Sequence, residues 1–242
     1  MKQRARLGLL AIVLGVLVLS GCSRSAEDEL DFLVQTEGGV YDEIPVGDER
    51  IDELRQDVRE LEDEVREQAL RLGRIASYRK LMAQELMDME MYGPALEQLQ
   101  AAMELQTENA TLFYLAGVAA GRSARARMDE AEMTGRLELA ERMYREAVGI
   151  RPDYRDALYG LVVVLAFELD RADEALEFAR RLAREETGDP SVSFLLANVL
   201  VRTGNTAEAQ EIYGRLAREA PSAGQREQAA RNQAALAGEG MP

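Results

Sequence analysis

From Asp48 onward, apolar residues recur at alternating steps of three and four. Ile51, Leu54, Val58, Leu61, Val65, Gln68, Leu72 and Ile75 form the stripe of an a/d seam, while Asp, Glu and Arg fill the other positions. Four such heptads predict a helix of about 40 Å over residues 49–75. β-branched residues at the a positions and leucine at the first two d positions favour a parallel homodimer, in which Gln68 weakens the seam and sets register. The same stripe equally suits a single helix lying on the domain that follows. Residues 76–222 carry helical pairs at a period near 34, which predicts stacked units sharing one core. Residues 22–48 hold Gly38, Gly39, Pro45 and Gly47 with no sustained period, the pattern of a flexible acidic tether. The prediction is an all-α chain.

The clearest unit is PSVSFLLANVLVRTGNTAEAQEIYGRLAREAP, residues 190–221. Leu196, Ala197 and Leu200 give a large-small-large first helix, Gly204 ends it, and Ala209 sits where the second helix must cross closely. Tyr213 and Leu216 pack between the two, and Pro221 closes the unit. Ala175 anchors an earlier second helix, preceded by Leu158, Leu161, Val162 and Leu165. Ala140 anchors another, with Tyr144, Ala147 and Pro152 behind it, and Ala95 the first, with Leu99 and Ala102. Two antiparallel helices approach closely only where a small side chain permits it. These four units resemble tetratricopeptide (TPR) repeats. The implied fold is an α-solenoid of antiparallel helix pairs, preceded by the long helix and the flexible tether. It departs from the family pattern in lacking tryptophan, in a degenerate first repeat (YRKLMAQELMDMEM), and in an insertion near 121–135. That insertion is expected to lengthen both helices of the second repeat. Residues 223–242 read as a capping helix and tail with a polar outer face.

At the amino terminus, Lys2, Arg4 and Arg6 precede thirteen residues, Leu7–Leu19, without charge or polar side chain. Such a run spans roughly 20 Å, short of the ~30 Å hydrocarbon core, so residues 1–21 read as a signal peptide rather than a spanning helix. Leu19, Ser20, Gly21 and Cys22 resemble the bacterial lipobox, which implies diacylglyceryl transfer to the Cys22 thiol, cleavage before it and acylation, including palmitate, of the new amino terminus. Several chains on one residue hold a membrane stably. The resemblance implies a cell-envelope lipoprotein, and Ser23 in place of Asp points to the outer membrane facing the periplasm. An ordinary signal peptide or a short anchor is the alternative.

Composition narrows the chemistry. The net charge is −15 and histidine and tryptophan are absent; a surface so acidic repels phosphate backbones, which argues against nucleic acid. Without histidine, and with Cys22 as the one cysteine, there is no thiolate metal site, no disulfide and no imidazole base. Carboxylate chemistry alone remains open, but no phosphate loop, catalytic triad or metal spacing is present. The expectation is a non-enzyme without cofactor or metal.

TPR solenoids bind extended peptides or helices on the concave face lined by the first helices. The resemblance places Phe113 and Gly117 there from the second repeat, Tyr159, Val163 and Phe167 from the third, and Phe194, Asn198 and Arg202 from the fourth. Asn198 would hold a bound backbone and Arg202 a carboxylate; packing between helices and a helix C-terminus are the structural alternatives for these residues. The expected partner is an envelope protein. The alternative is a self-associating spacer whose groove is filled by its own apolar residues 30–34.

Overall fold

The computed structural model describes residues 48–125 and 129–238, and every regular element among them is helical. The predictions for residues 1–47, including Cys22, the tether and residues 30–34, lie outside the described residues. The elements are α1 (Asp48–Asp88), α2 (Tyr92–Met103), α3 (Ala110–Ser123), α4 (Glu130–Ile150), α5 (Arg155–Val163, continued by a π turn Val164–Glu168), α6 (Ala172–Glu185), α7 (Pro190–Arg202), α8 (Thr206–Glu219) and α9 (Ala223–Gly238). The chain divides into two compact units, Met1–Glu62 and Asp63–Pro242. Only the start of α1 is described in the first; all the helix pairs belong to the second.

In the second unit each helix packs on its neighbours in chain order, α2 on α3, α3 on α4, and so on to α8 on α9. The crossing alanines behave as their size demands: Ala95, Ala140, Ala175 and Ala209 are fully buried. Leu99, Leu112, Leu158, Leu161, Leu182 and Leu200 fill the layers between them. α9 closes the stack through Ala229 and leaves its remaining face to water, as a terminal cap must.

Helix starts are set by local hydrogen bonds. The side chains of Asn109, Asp129 and Asp189 accept the backbone N–H groups of Thr111, Glu132 and Ser191 at 3.1, 2.9 and 2.7 Å, which satisfies donors the helix cannot. Three first helices stop on a residue of positive φ: Glu90 (59°), Asp170 (53°) and Gly204 (75°). After Glu90 and Gly204 the next N–H reaches back five residues, Met91 to Leu86 and Asn205 to Leu200, both at 2.8 Å, a Schellman closure. After Asp170, Arg171 instead reaches Leu165, one residue further, at 2.7 Å. The π turn creates that difference. It absorbs one extra residue in α5 while the start of α5 and the crossing alanine of α6 both keep their places.

Two expectations need correction. The first helix of the degenerate repeat is not separate: α1 runs unbroken through residues 75–76 to Asp88, since no Pro interrupts it and the Ser77 hydroxyl donates back to the Gly73 carbonyl at 2.9 Å instead of capping a new helix. The insertion lengthens only the second helix of its repeat; α3 ends at Ser123, whereas α4 begins at Glu130 and has 21 residues. The Asp129 cap, with Glu130 and Glu132 in the first turn, starts α4 early.

Candidate partner-binding groove

The N-caps of α3, α5 and α7 are Asn109, Tyr154 and Asp189. Counting from each cap, Tyr114, Tyr159 and Phe194 are equivalent, as are Val118, Val163 and Asn198, and then Arg122, Phe167 and Arg202. Along each helix the three positions follow at intervals of four residues, about one turn, so they share one face.

Between α3, α4 and α5 this face sinks into a cleft of about 520 Å³, within the ~300–1,000 Å³ range of ligand sites. Tyr114 and Val118 form one wall, Tyr159 and Val163 the other, and Arg122 and Arg155 stand among the polar lining groups. Tyr144 from α4 forms the floor. Its ring is buried between two glycines: a Cβ on Gly117 would lie 2.7 Å from it, and one on Gly160 2.6 Å. No side chain fits between ring and helix at either position, so the floor requires both glycines. Tyr114 packs against Tyr144 and Tyr154 with centroids 6.2 and 5.1 Å apart.

The phenols of Tyr144 and Tyr114 stay protonated. Burial pushes the Tyr144 hydroxyl up, with Tyr114 adding to it, and burial, then Asp156, pushes Tyr114 up. A hydrogen bond with Tyr92 holds the Arg122 guanidinium above its ordinary pKa, and the Arg122 guanidinium carbon lies 5.9 Å from the Tyr92 ring centre. Arg155 spans to the next first helix, pairing with Asp156 and with the Asp189 cap. Arg125 pairs with Glu168 at 3.2 Å.

The residues expected from sequence divide accordingly. Tyr159 and Val163 line the cleft. Phe167 is exposed beside it, on the π turn, with the Arg202 guanidinium 5.4 Å from its ring centre. The cleft is lined by Tyr114 and Val118, each one residue beyond Phe113 and Gly117, which are not among its lining residues; Gly117 lies against the Tyr144 ring. Tyr114, Val118 and Arg122 take their place. The N-cap residue Asn109 is the sequence signal that fixes this register. Phe194 packs on Tyr213 with centroids 6.1 Å apart, and the Tyr213 hydroxyl donates to Asn198 Oδ1 at 2.5 Å. Asn198 thus has its carbonyl engaged within the chain, and Arg202 pairs with Asp170 at 2.7 Å. Among the described residues no group of three or more acidic or cysteine side chains is placed to hold a metal ion, and no helix is long and apolar enough to cross a membrane.

Residues 166–236 match the family model of the tetratricopeptide repeat. No curated protein matches the chain in sequence. Solved structures do. A thermophilic TPR protein of Thermus thermophilus is similar at 19% identity over 67% of this chain and 81% of its own, with a TM-score of 0.53. YrrB, a TPR protein with an unusual peptide-binding site, is similar at 20% identity over 66% of this chain and 75% of its own, TM-score 0.54. The fold is a TPR-type solenoid. MamA residues 41 to the end, from Desulfovibrio magneticus RS-1, align at 14% identity over 68% of this chain and 94% of theirs, TM-score 0.54. In TPR terms α3, α5 and α7 are first helices and α4, α6 and α8 second helices, so the Tyr144 cleft opens between two consecutive first helices.

Proposed function

We propose that this chain is a scaffold that binds a protein partner along the face carrying Tyr114, Tyr159 and Val163, and that Cys22 anchors it to a membrane of the bacterial cell envelope. The cleft floored by Tyr144 supports the first part. An aromatic-walled hollow suits an apolar or aromatic side chain of a bound segment, with the paired charges of Arg155 and Asp156 and of Arg125 and Glu168 at its polar edge. The peptide-binding site of YrrB agrees with a peptide occupant. The lipobox resemblance around Cys22 supports the anchor, and the role requires no catalytic step.

Photocrosslinking groups introduced in intact cells at Val118 and Val163 test the groove, with Glu177 and Glu211 on second helices as controls. The expected result is one partner crosslinked from both groove positions, lost on Tyr159→Ala, and absent from the controls. Equal crosslinking from all four positions overturns the groove. Labelling with radioactive palmitate tests the anchor separately: incorporation is expected to vanish in Cys22→Ser, and an unlabelled wild type overturns it.

A further inference from the structure

No other described residue covers the seam of α1. Leu54, Val58, Leu61, Val65, Leu72 and Ile75 are all exposed, Leu61 and Val65 by 62% and 66%. Apolar area in water is unfavourable by about 25 cal/mol per Å², and a seam of this spacing is covered by another helix of the same spacing. The charges beside the seam decide how a second copy fits.

With Ile51 at the first core position, one flank of the seam carries Arg50, Asp57, Glu64, Arg71, Tyr78 and Glu85. The other carries Arg55, Glu62, Ala69, Ala76 and Ala83. In a parallel pair in register, each flank meets the opposite flank of the partner helix one heptad on. That sets Arg50 against Arg55 and Asp57 against Glu62, like against like at both positions. An antiparallel pair instead sets each flank against itself. Placing Leu61 opposite Leu72, Val58 opposite Ile75 and Ile51 opposite Met82 brings Glu64 to Arg71, Arg50 to Glu85 and Asp57 to the Tyr78 hydroxyl, and leaves Arg79, bonded to Gln98 at 2.9 Å, opposite Leu54 near each end. Each pairing occurs twice, and the other flank opposes charge only with alanine. Moving the overlap one heptad toward the N-terminus brings Asp57 to Arg71 but sets Glu64 and Glu62 each against itself. Moving it one heptad toward the C-terminus sets Arg71 against itself and Asp57 against Glu85. The accessible flank is also the one this register uses: Tyr78 is 65% exposed, whereas Ala76 and Ala83 are already buried within the chain. Arg71, bonded to Glu67 at 2.8 Å, keeps further donors for a second carboxylate.

We infer that α1 pairs with α1 of a second copy as an antiparallel two-helix coil, with the two-fold axis between Arg66 and Glu67. This replaces the parallel pair expected from core residues alone, and it is independent of what occupies the groove. Disulfide trapping tests it on the full chain in detergent micelles, with Cys22→Ser so that each introduced thiol is the only one. A mixture of Val58→Cys and Ile75→Cys chains is expected to give mainly the mixed disulfide, because the antiparallel register holds the two Val58 positions roughly 25 Å apart along the axis. A disulfide joining two Val58→Cys chains that is at least as abundant as the mixed one overturns the orientation. In sedimentation, Glu64→Arg or Arg71→Glu alone is expected to weaken the dimer roughly 3–10-fold, and the double exchange to restore it. A chain that stays monomeric at tens of micromolar overturns the pairing itself.

Discussion

The ring of Tyr144 rests so closely on the backbone of Gly160 that a Cβ at residue 160 would meet its Cζ at 2.6 Å. Because Gly117 bounds the same ring from α3, Tyr144 locks two consecutive first helices at a fixed separation, and that separation sets the width of the cleft. Gly160→Ala gains helix propensity of about 1 kcal/mol but forces the ring to move, at a cost of about 1–3 kcal/mol. We expect a net loss of about 1 kcal/mol in chemical denaturation. Tyr144→Leu in the same chain should turn the alanine from destabilising to neutral or better; additive effects of the two changes would contradict the wedge.

Glu141 is buried on α4, held by Arg171, which immediately precedes α6, at 2.6 Å and by Arg145 at 2.9 Å. Arg171 also binds Glu174 at 2.6 Å, and this hydrogen bond holds the Glu174 carboxyl below its ordinary value. Removing the cation leaves a carboxylate in a poorly solvated place. Arg171→Ala should therefore cost about 2–3 kcal/mol, and Glu141→Gln less, about 1 kcal/mol. Urea melts of both variants provide the comparison, and the reverse order would show that Arg171 acts mainly through Glu174.

Asp189 caps α7 and pairs with Arg155. Burial raises its carboxyl, but the Ser191 N–H and Arg155 outweigh this and hold it below the ordinary 3.8. A carboxyl lowered in the folded state stabilises the fold above the unfolded value and loses that effect as pH falls through the folded one. Asp189→Asn keeps a good cap and removes the ion pair. It should cost about 0.5–1 kcal/mol at pH 7, with the two proteins converging as pH falls below 3.8 and through the lowered folded-state value. A constant difference from pH 7 to pH 2 would refute the assignment.

Glu90 ends α1 at φ 59°, where a Cβ is unfavourable by roughly 1–2 kcal/mol. Gly204, at the same place in the last repeat, avoids that strain. Glu90→Gly should stabilise the chain by about 0.5–1 kcal/mol after the greater freedom of the unfolded glycine is counted, raising Tm. Asp170→Gly should gain less, since it also removes the partner of Arg202.

The helix pairs were legible because a close crossing tolerates only a small residue, and Ala95, Ala140, Ala175 and Ala209 stand out at their spacing. The groove of the second repeat lies one residue away from the sequence expectation because Leu112, Phe113, Tyr114 and Leu115 are consecutive large apolar residues and offer no single periodicity. Only the cap at Asn109 fixes which of them faces outward. The engagement of Asn198 by Tyr213 depends on packing between helices, which no local pattern encodes. The fusion of the first repeat helix into α1 was hidden for the opposite reason: a change of apolar pattern near residue 75 looked like a boundary, although the backbone has no cause to break there.

The π turn at Val164–Glu168 also governs how this architecture tolerates change in length. A surplus residue in an ordinary helix would rotate everything beyond it by about 100°; here it is confined to a local swelling, and α6 to α9 remain in step. Loss of a single residue from that stretch should accordingly return α5 to regular winding and reorient Phe167 alone. Length variation in this repeat would thus redraw one edge of the binding face without disturbing the stack that carries it.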